Sequence, residues 1–276
     1  MIVALVLVSA FLHALWNALL RLEPDKDRGL VAAVIVATVM AAVVAGARAL
    51  AGEVLFASAS ALGWALAAGV LEWLYFASLA RALDRGPLGP IYTVSRGGAI
   101  LVVWPLSIAL FDERFAVASA VGSAIVLVGL ALASASSEER RVDRGALAWA
   151  IACAFSIAGY HLAYKAALAA GGNPSAVFAV ALALASGINV TRARGTVAYA
   201  RARWRRVVVM GLVCGGSFLI LLEGLAAGGA GFVLTLRNTS VLFATALAFG
   251  IGDRPRRVQI LGSVAVAAGA VVMAWP

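Results

Sequence analysis

The 276-residue chain is 63% hydrophobic and only 13% charged, with a formal net charge of +9 and a mean hydropathy of +1.00. A soluble domain is nearer half apolar and a quarter charged, so the composition excludes that class and points to an integral membrane protein. The positive charge does not indicate nucleic acid, because Lys and Arg sit in short clusters between apolar runs, with no basic stripe of interleaved aromatics.

A membrane-spanning helix needs about 20 mostly apolar residues. Ten runs meet this expectation: 2–20, 30–50, 60–81, 88–110, 115–135, 146–167, 174–190, 207–226, 230–251 and 257–275. The first, MIVALVLVSAFLHALWNALLR, lacks a basic leading segment, so it reads as a retained helix and not as a cleaved signal. The breaks carry charge and turn residues, as in RLEPDKDRG, FDERF and GDRPRR. Cys153 and Cys214 lie inside apolar runs without metal-ligand spacing and read as small packing residues.

The chain repeats itself. SRGGAILVVWPLSIALFDER aligns with LRNTSVLFATALAFGIGDRP at an offset of 141, which superposes Arg96 on Arg237 and Asp112 on Asp253. VGSAIVLVGLALA aligns with LGSVAVAAGAVVM, pairing Gly122 with Gly262 and Gly129 with Gly269. HALWN at 13–17 aligns with HLAYK at 161–165. Two repeats follow, 1–137 and 138–276, each of five spans. An odd number of spans makes the second repeat enter the bilayer from the opposite side, as in secondary transporters that bind solute near the midplane. The expected fold is therefore all-α, with ten transmembrane helices in two inverted five-helix repeats.

Loops after odd-numbered spans hold 17 Lys and Arg, whereas loops after even-numbered spans hold only Arg48 and Arg114. Positive charge is retained on the cytoplasmic side, so both termini are expected outside.

HALWN, RALDRGPLGPIYTVSRG and the acidic turn FDER followed by VGSAIVLVG resemble the drug/metabolite transporter superfamily, EamA type. The turn is similar to that family's Gly-Glu element; the second copy departs from it, with Arg254 where the first has Glu113. The resemblance covers both halves. It implies ten helices around a central cavity, movement of small organic solutes, often outward, and termini in the cytoplasm, opposite to the charge count. The expected setting is the cytoplasmic membrane of a prokaryote.

Depth separates the charges that matter from those at interfaces. At about 1.5 Å per residue, Glu72 lies roughly 14–18 Å from either end of its span, Arg96 roughly 12 Å in and Arg237 roughly 10 Å in. A charge so deep marks a functional site by default. Glu72 is a candidate for proton coupling or for substrate, with Tyr75 and Phe76 at i+3 and i+4 on its face. Arg96, with Tyr92 one turn before it, and Arg237 suit a carboxylate or phosphate. The alternative is an internal ion pair of Glu72 with Arg96. His13 and Trp16 share a face with Asn17, and His161, Tyr164 and Lys165 repeat that spacing; both sets suit a solute pathway or helix-end anchoring. Gly122, Gly129, Gly262 and Gly269 form two small-residue stripes suited to close helix packing.

No catalytic triad, metal cluster or phosphate-cradling loop is recognisable, and no cofactor is implied. The expectation is a non-enzymatic secondary transporter of a zwitterionic or carboxylated metabolite, such as an amino acid, working by alternating access. Expected partners are the solute, the lipid bilayer and protons as a candidate coupling ion, with a monomer or homodimer as the assembly. Organic cations are the alternative solute. An intramembrane enzyme or accessory subunit is the alternative class.

Overall fold

The computed structural model describes residues 1–85, 88–114, 116–134, 143–190, 194–250 and 255–274. Among these the structure is helical: α1 (Ile2–Arg21), α2 (Lys26–Leu50), α3 (Ala59–Arg85), α4 (Leu88–Phe111), α5 (Val117–Ala133), α6 (Arg144–Ala169), α7 (Pro174–Val190), α8 (Thr196–Ala202), α9 (Trp204–Ala227), α10 (Ala230–Arg237), α11 (Ser240–Gly250) and α12 (Arg257–Ala274). Six of these, together with the α10–α11 segment, are long and apolar enough to cross a membrane, making seven in all. Three shorter apolar helices lie within α5, α7 and α12.

The helix starts follow from local chemistry. Asp25 accepts a bond from the Arg28 amide at 3.0 Å and starts α2 four residues before the expected apolar run. Pro174 opens α7, and the Asn173 side chain accepts from the Ser175 amide at 3.1 Å. Two features were not expected. A short helix, α8, forms inside the basic 191–206 segment. The run 230–251, expected as one helix, is two helices separated at Asn238 and Thr239.

The helices form two compact units that cut across the sequence repeat. The first holds residues 1–73 and 163–227. In it α9 packs along α1 and α2, and α2 also packs along α7. Small residues permit this: Gly29, Ala33, Ala37, Ala41 and Ala45 recur four apart on the buried face of α2. A Cβ at Gly211 would stand 2.7 Å from the Ala33 carbonyl oxygen. Ser9 of α1 and Ser217 of α9 each donate a hydroxyl to the other's carbonyl, at 2.7 and 3.1 Å. Such exchange satisfies polar groups that have no water to turn to.

The loop end of this unit is anchored by Glu23, which is buried. It accepts from Tyr199 at 2.5 Å and Arg203 at 2.6 Å, with Arg206 at 3.6 Å. Burial alone would raise its pKa. The hydrogen bonds and the two guanidinium charges outweigh burial and hold the carboxyl below its ordinary range.

The second unit holds residues 74–162 and 228–276. Its tightest pairing is α5 against α12. The four repeated glycines meet here. A Cβ at Gly122 would come within 2.6 Å of the Gly269 carbonyl oxygen, and one at Gly262 within 2.7 Å of that of Gly129. Gly129 and Gly269 face the opposing backbone in the same way. The two helices thus touch backbone to backbone, with Val126, Leu130 and Val266 buried beside the contact.

Gly262→Ala is expected to cost about 1–3 kcal/mol through overpacking, read as a fall in the thermal unfolding midpoint in detergent. Gly63→Ala, in α3 with nothing within 4 Å of an added Cβ, is expected to be neutral or to gain up to about 1 kcal/mol. Equal effects at the two positions would refute the backbone contact. Glu23→Gln is expected to lower the midpoint at neutral pH. Because the folded pKa of Glu23 is depressed, its contribution is complete above the unfolded carboxyl pKa and is lost as pH falls through the folded value. The gap between native and variant protein should therefore close in acid.

Candidate functional site

In the first unit Glu72 is 2% exposed and accepts a hydrogen bond from the Tyr164 hydroxyl at 2.9 Å. Tyr164 is itself fully buried. A carboxylate at this depth is held by a donor from a second helix, which fixes its orientation. His13 and Trp16 are both buried. The Trp16 indole donates to His13 Nδ1 at 3.2 Å, and the Asn17 amide donates to the His13 carbonyl at 2.6 Å. The i, i+3, i+4 face of α1 is thus bonded to itself, and Trp16 is not an exposed interfacial anchor. Phe218 lies edge-on to His13 with centroids 6.1 Å apart and stacks on Phe178 at 5.3 Å.

The matching face of α6 is used differently. Lys165 donates to the Leu225 carbonyl at 2.7 Å. Glu223, near the end of α9, pairs with Arg48 at 2.7 Å. Arg48 also reaches Asn173 and Glu53, and Asn173 donates to Glu53 at 2.8 Å. This network ties together three loop ends.

The second unit holds the remaining candidates. Tyr75 lies against Phe76 and Tyr160, with centroids 4.9 and 5.9 Å apart. Tyr160 stacks on His161 at 4.3 Å. His161 is 1% exposed, and its Nδ1 is 2.8 Å from the Ile157 carbonyl oxygen. For a neutral ring this puts the proton on Nδ1 and leaves Nε2 as an acceptor. That Nε2 is buried and has no hydrogen-bond partner among the described residues. Arg237 and Arg96 both lie within electrostatic reach of the ring. Arg237 is 2% exposed; Arg96 is partly buried. Gly97 and Gly98, next to Arg96 on α4, face the side chains of Leu127 and Ala154. Tyr92 belongs to α4, but its side chain falls outside the described ones, as do Asp253 and Arg254 entirely.

Arg237 ends α10 at the interruption. The next residues explain the break. Asn238 Nδ2 donates to the Leu234 carbonyl at 2.9 Å, and the Thr239 hydroxyl donates to that of Leu236 at 2.8 Å. The Asn238 and Thr239 amides bond three residues back, at 3.1 Å each. Asn, Thr and Ser compete for helix carbonyls in this way, so three in a row loosen the turn. The side chain of Asn238 is almost fully buried, and its Oδ1 has no partner among the described residues. One turn before the break, Thr235 accepts from the Trp104 indole at 3.1 Å and donates to Gly231 at 2.9 Å. The Trp104 ring covers Gly231, where a Cβ would come within 2.6 Å of it.

The start of α10 is held by the acidic turn. Glu113 accepts from the Ala230 amide at 2.6 Å and the Gly231 amide at 3.4 Å. A carboxylate suits the positive end of a helix, where amides lack internal partners. Asp112 beside it is left-handed, φ 56°, a conformation Asp tolerates. Sequence reasoning singled out Arg237 but not Asn238, Tyr160 or the capping role of Glu113. For Asn238 the available signal was the polar triplet Asn-Thr-Ser inside an apolar run. Glu113→Ala is expected to cost about 0.5–2 kcal/mol, the worth of a helix cap, measured as a lower thermal midpoint in detergent; an unchanged midpoint would show that the contact is idle.

Comparison with known proteins supplies the wider setting. No curated protein matches the sequence. One solved crystal structure of a protein is similar over 98% of this chain and 98% of its own, with 19% identity and a TM-score of 0.74. At that identity the likeness speaks to fold alone. Residues 144–275 match the EamA-like transporter family, one of membrane transporters of small molecules. With its many apolar helices, the match makes this a multi-pass integral membrane protein and places the chain in the drug/metabolite transporter superfamily.

Proposed function

We propose that the protein is a secondary transporter of a small zwitterionic or carboxylated metabolite, an amino acid or a close relative. In this reading it has ten spans in two inverted five-helix repeats and works by alternating access in a prokaryotic cytoplasmic membrane. Its termini lie outside, by the 17-to-2 bias of the loops. Protons are the coupling ion, with Glu72 as the group that takes them up.

One observation carries the solute class: a buried Arg237 at an interrupted helix, followed by Asn238 with a buried, unpartnered oxygen. His161, within reach of the Arg237 charge, adds a second buried acceptor. Buried acceptors without partners are costly unless something fills them. A guanidinium binds a carboxylate by two parallel bonds. Acceptors such as Asn238 Oδ1 and His161 Nε2 suit the N–H donors of an ammonium group. Interrupted helices are a recurring way to build solute sites in transporters. A second reading, an organic cation, is favoured by the grouping of Tyr75, Phe76 and Tyr160, whose faces attract cations.

The test is a thermal-shift screen of purified protein against amino acids, quaternary amines and phosphorylated metabolites. A ligand at 100 times its Kd stabilises by about 2.7 kcal/mol. Amino acids are expected to raise the midpoint, and Arg237→Gln to abolish that rise. Stabilisation by quaternary amines alone would replace the first reading with the second. In proteoliposomes, Glu72→Gln is expected to flatten the pH dependence of uptake; an unaltered rate and pH profile would remove Glu72 from coupling.

A further inference from the structure

Away from the spans, one surface joins cationic and aromatic groups with no established use. It is the elbow where α8 meets α9. Four arginines crowd it: Arg201, Arg203, Arg205 and Arg206. Glu23 takes two of them, Arg203 and Arg206. Arg201 and Arg205 are exposed and have no acidic partner among the described residues. Arg205 lies over the Trp204 ring, 5.4 Å from its centroid, and Trp204 is 58% exposed. Val197 on α8 is 67% exposed. A cleft of about 340 Å³ is lined by Ala202, Arg203, Trp204, Arg205 and Arg206.

The elbow's place along the chain sets its surroundings. Trp204 opens α9, which is long and apolar enough to cross the membrane. The residues just before that apolar run therefore lie at headgroup depth, where Trp is favoured. Tyr199 and Arg203 tie the elbow to Glu23, and Arg28 donates to the Arg194 carbonyl at 3.1 Å. The outward arginines thus stand on an anchored base, so only their side chains, and not the backbone, need ordering when they engage an anion.

We infer that this elbow binds the headgroup of an anionic phospholipid. Its phosphodiester engages Arg201 and Arg205, and its acyl chains lie against Trp204 and Val197. Guanidinium forks fit phosphate oxygens, while the exposed apolar side chains require a ligand with a hydrocarbon part. That combination separates a lipid from a soluble phosphate.

The experiment uses full-length protein in a neutral detergent. Thermal unfolding and native mass spectrometry are run with phosphatidylglycerol, phosphatidylcholine or inorganic phosphate. Phosphatidylglycerol is expected to stay bound and to raise the midpoint by several degrees; the other two are not. Arg201→Gln combined with Arg205→Gln, which spares the Glu23 cluster, is expected to weaken that binding at least about fivefold. Equal effects of the two lipids, an unaltered double variant or an equal shift with inorganic phosphate would each overturn the inference. Should the double variant fail to fold, brominated lipids provide the test in the native protein. Brominated phosphatidylglycerol must quench the fluorescence that is lost in Trp204→Phe more strongly than brominated phosphatidylcholine does; equal quenching overturns the inference.

Discussion

A chain in hydrocarbon must satisfy its own backbone. The interruption at Asn238 and Thr239 is where this constraint is felt most. Opening a helix there releases carbonyls that water cannot reach. The side chains of Asn238 and Thr239 bond two of them, at Leu234 and Leu236, and the Thr239 amide also reaches Leu236. The break thus supplies its own hydrogen bonds. What is left over is one amide oxygen, that of Asn238, directly after a buried guanidinium.

Close packing makes the sealing possible. Trp104 reaches Thr235 only because Gly231 leaves room for its ring. The start of the same helix is held by Glu113, a residue of the turn after α4. Both contacts on α10 therefore come from one stretch of chain, α4 and the turn after it. Its eight residues are too few to hold a helix by propensity alone.

The deep charges and the repeated glycines were legible in the sequence, for physical reasons. A charge deep in an apolar run advertises itself, so Glu72, Arg96 and Arg237 stood out by depth alone. The repeated glycines stood out because two copies carry them at the same spacing. Other features depend on partners remote in sequence. Tyr164 meets Glu72 across 92 positions, and Glu113 meets Ala230 across 117; no local pattern reports either. The interruption was hidden because the run 230–251 keeps enough apolar residues to read as one helix. Helix α8 was hidden because a basic loop is ordinarily read by its charge and not by its periodicity.

The two compact units have a consequence for how the chain can be divided. Each draws on both sequence repeats. Ser217 bonds to Ser9, Gly262 and Gly269 press on Gly129 and Gly122, and Ala230 is capped by Glu113. A fragment holding only the second repeat would lose all three sets of partners at once. It would expose a glycine groove, an uncapped helix and a buried hydroxyl with nothing to bond. The two halves of the sequence, 1–137 and 138–276, each contribute to both compact units, so neither half owns a complete core. Separately expressed halves should therefore behave as complementary pieces that fold on meeting, and not as independent domains.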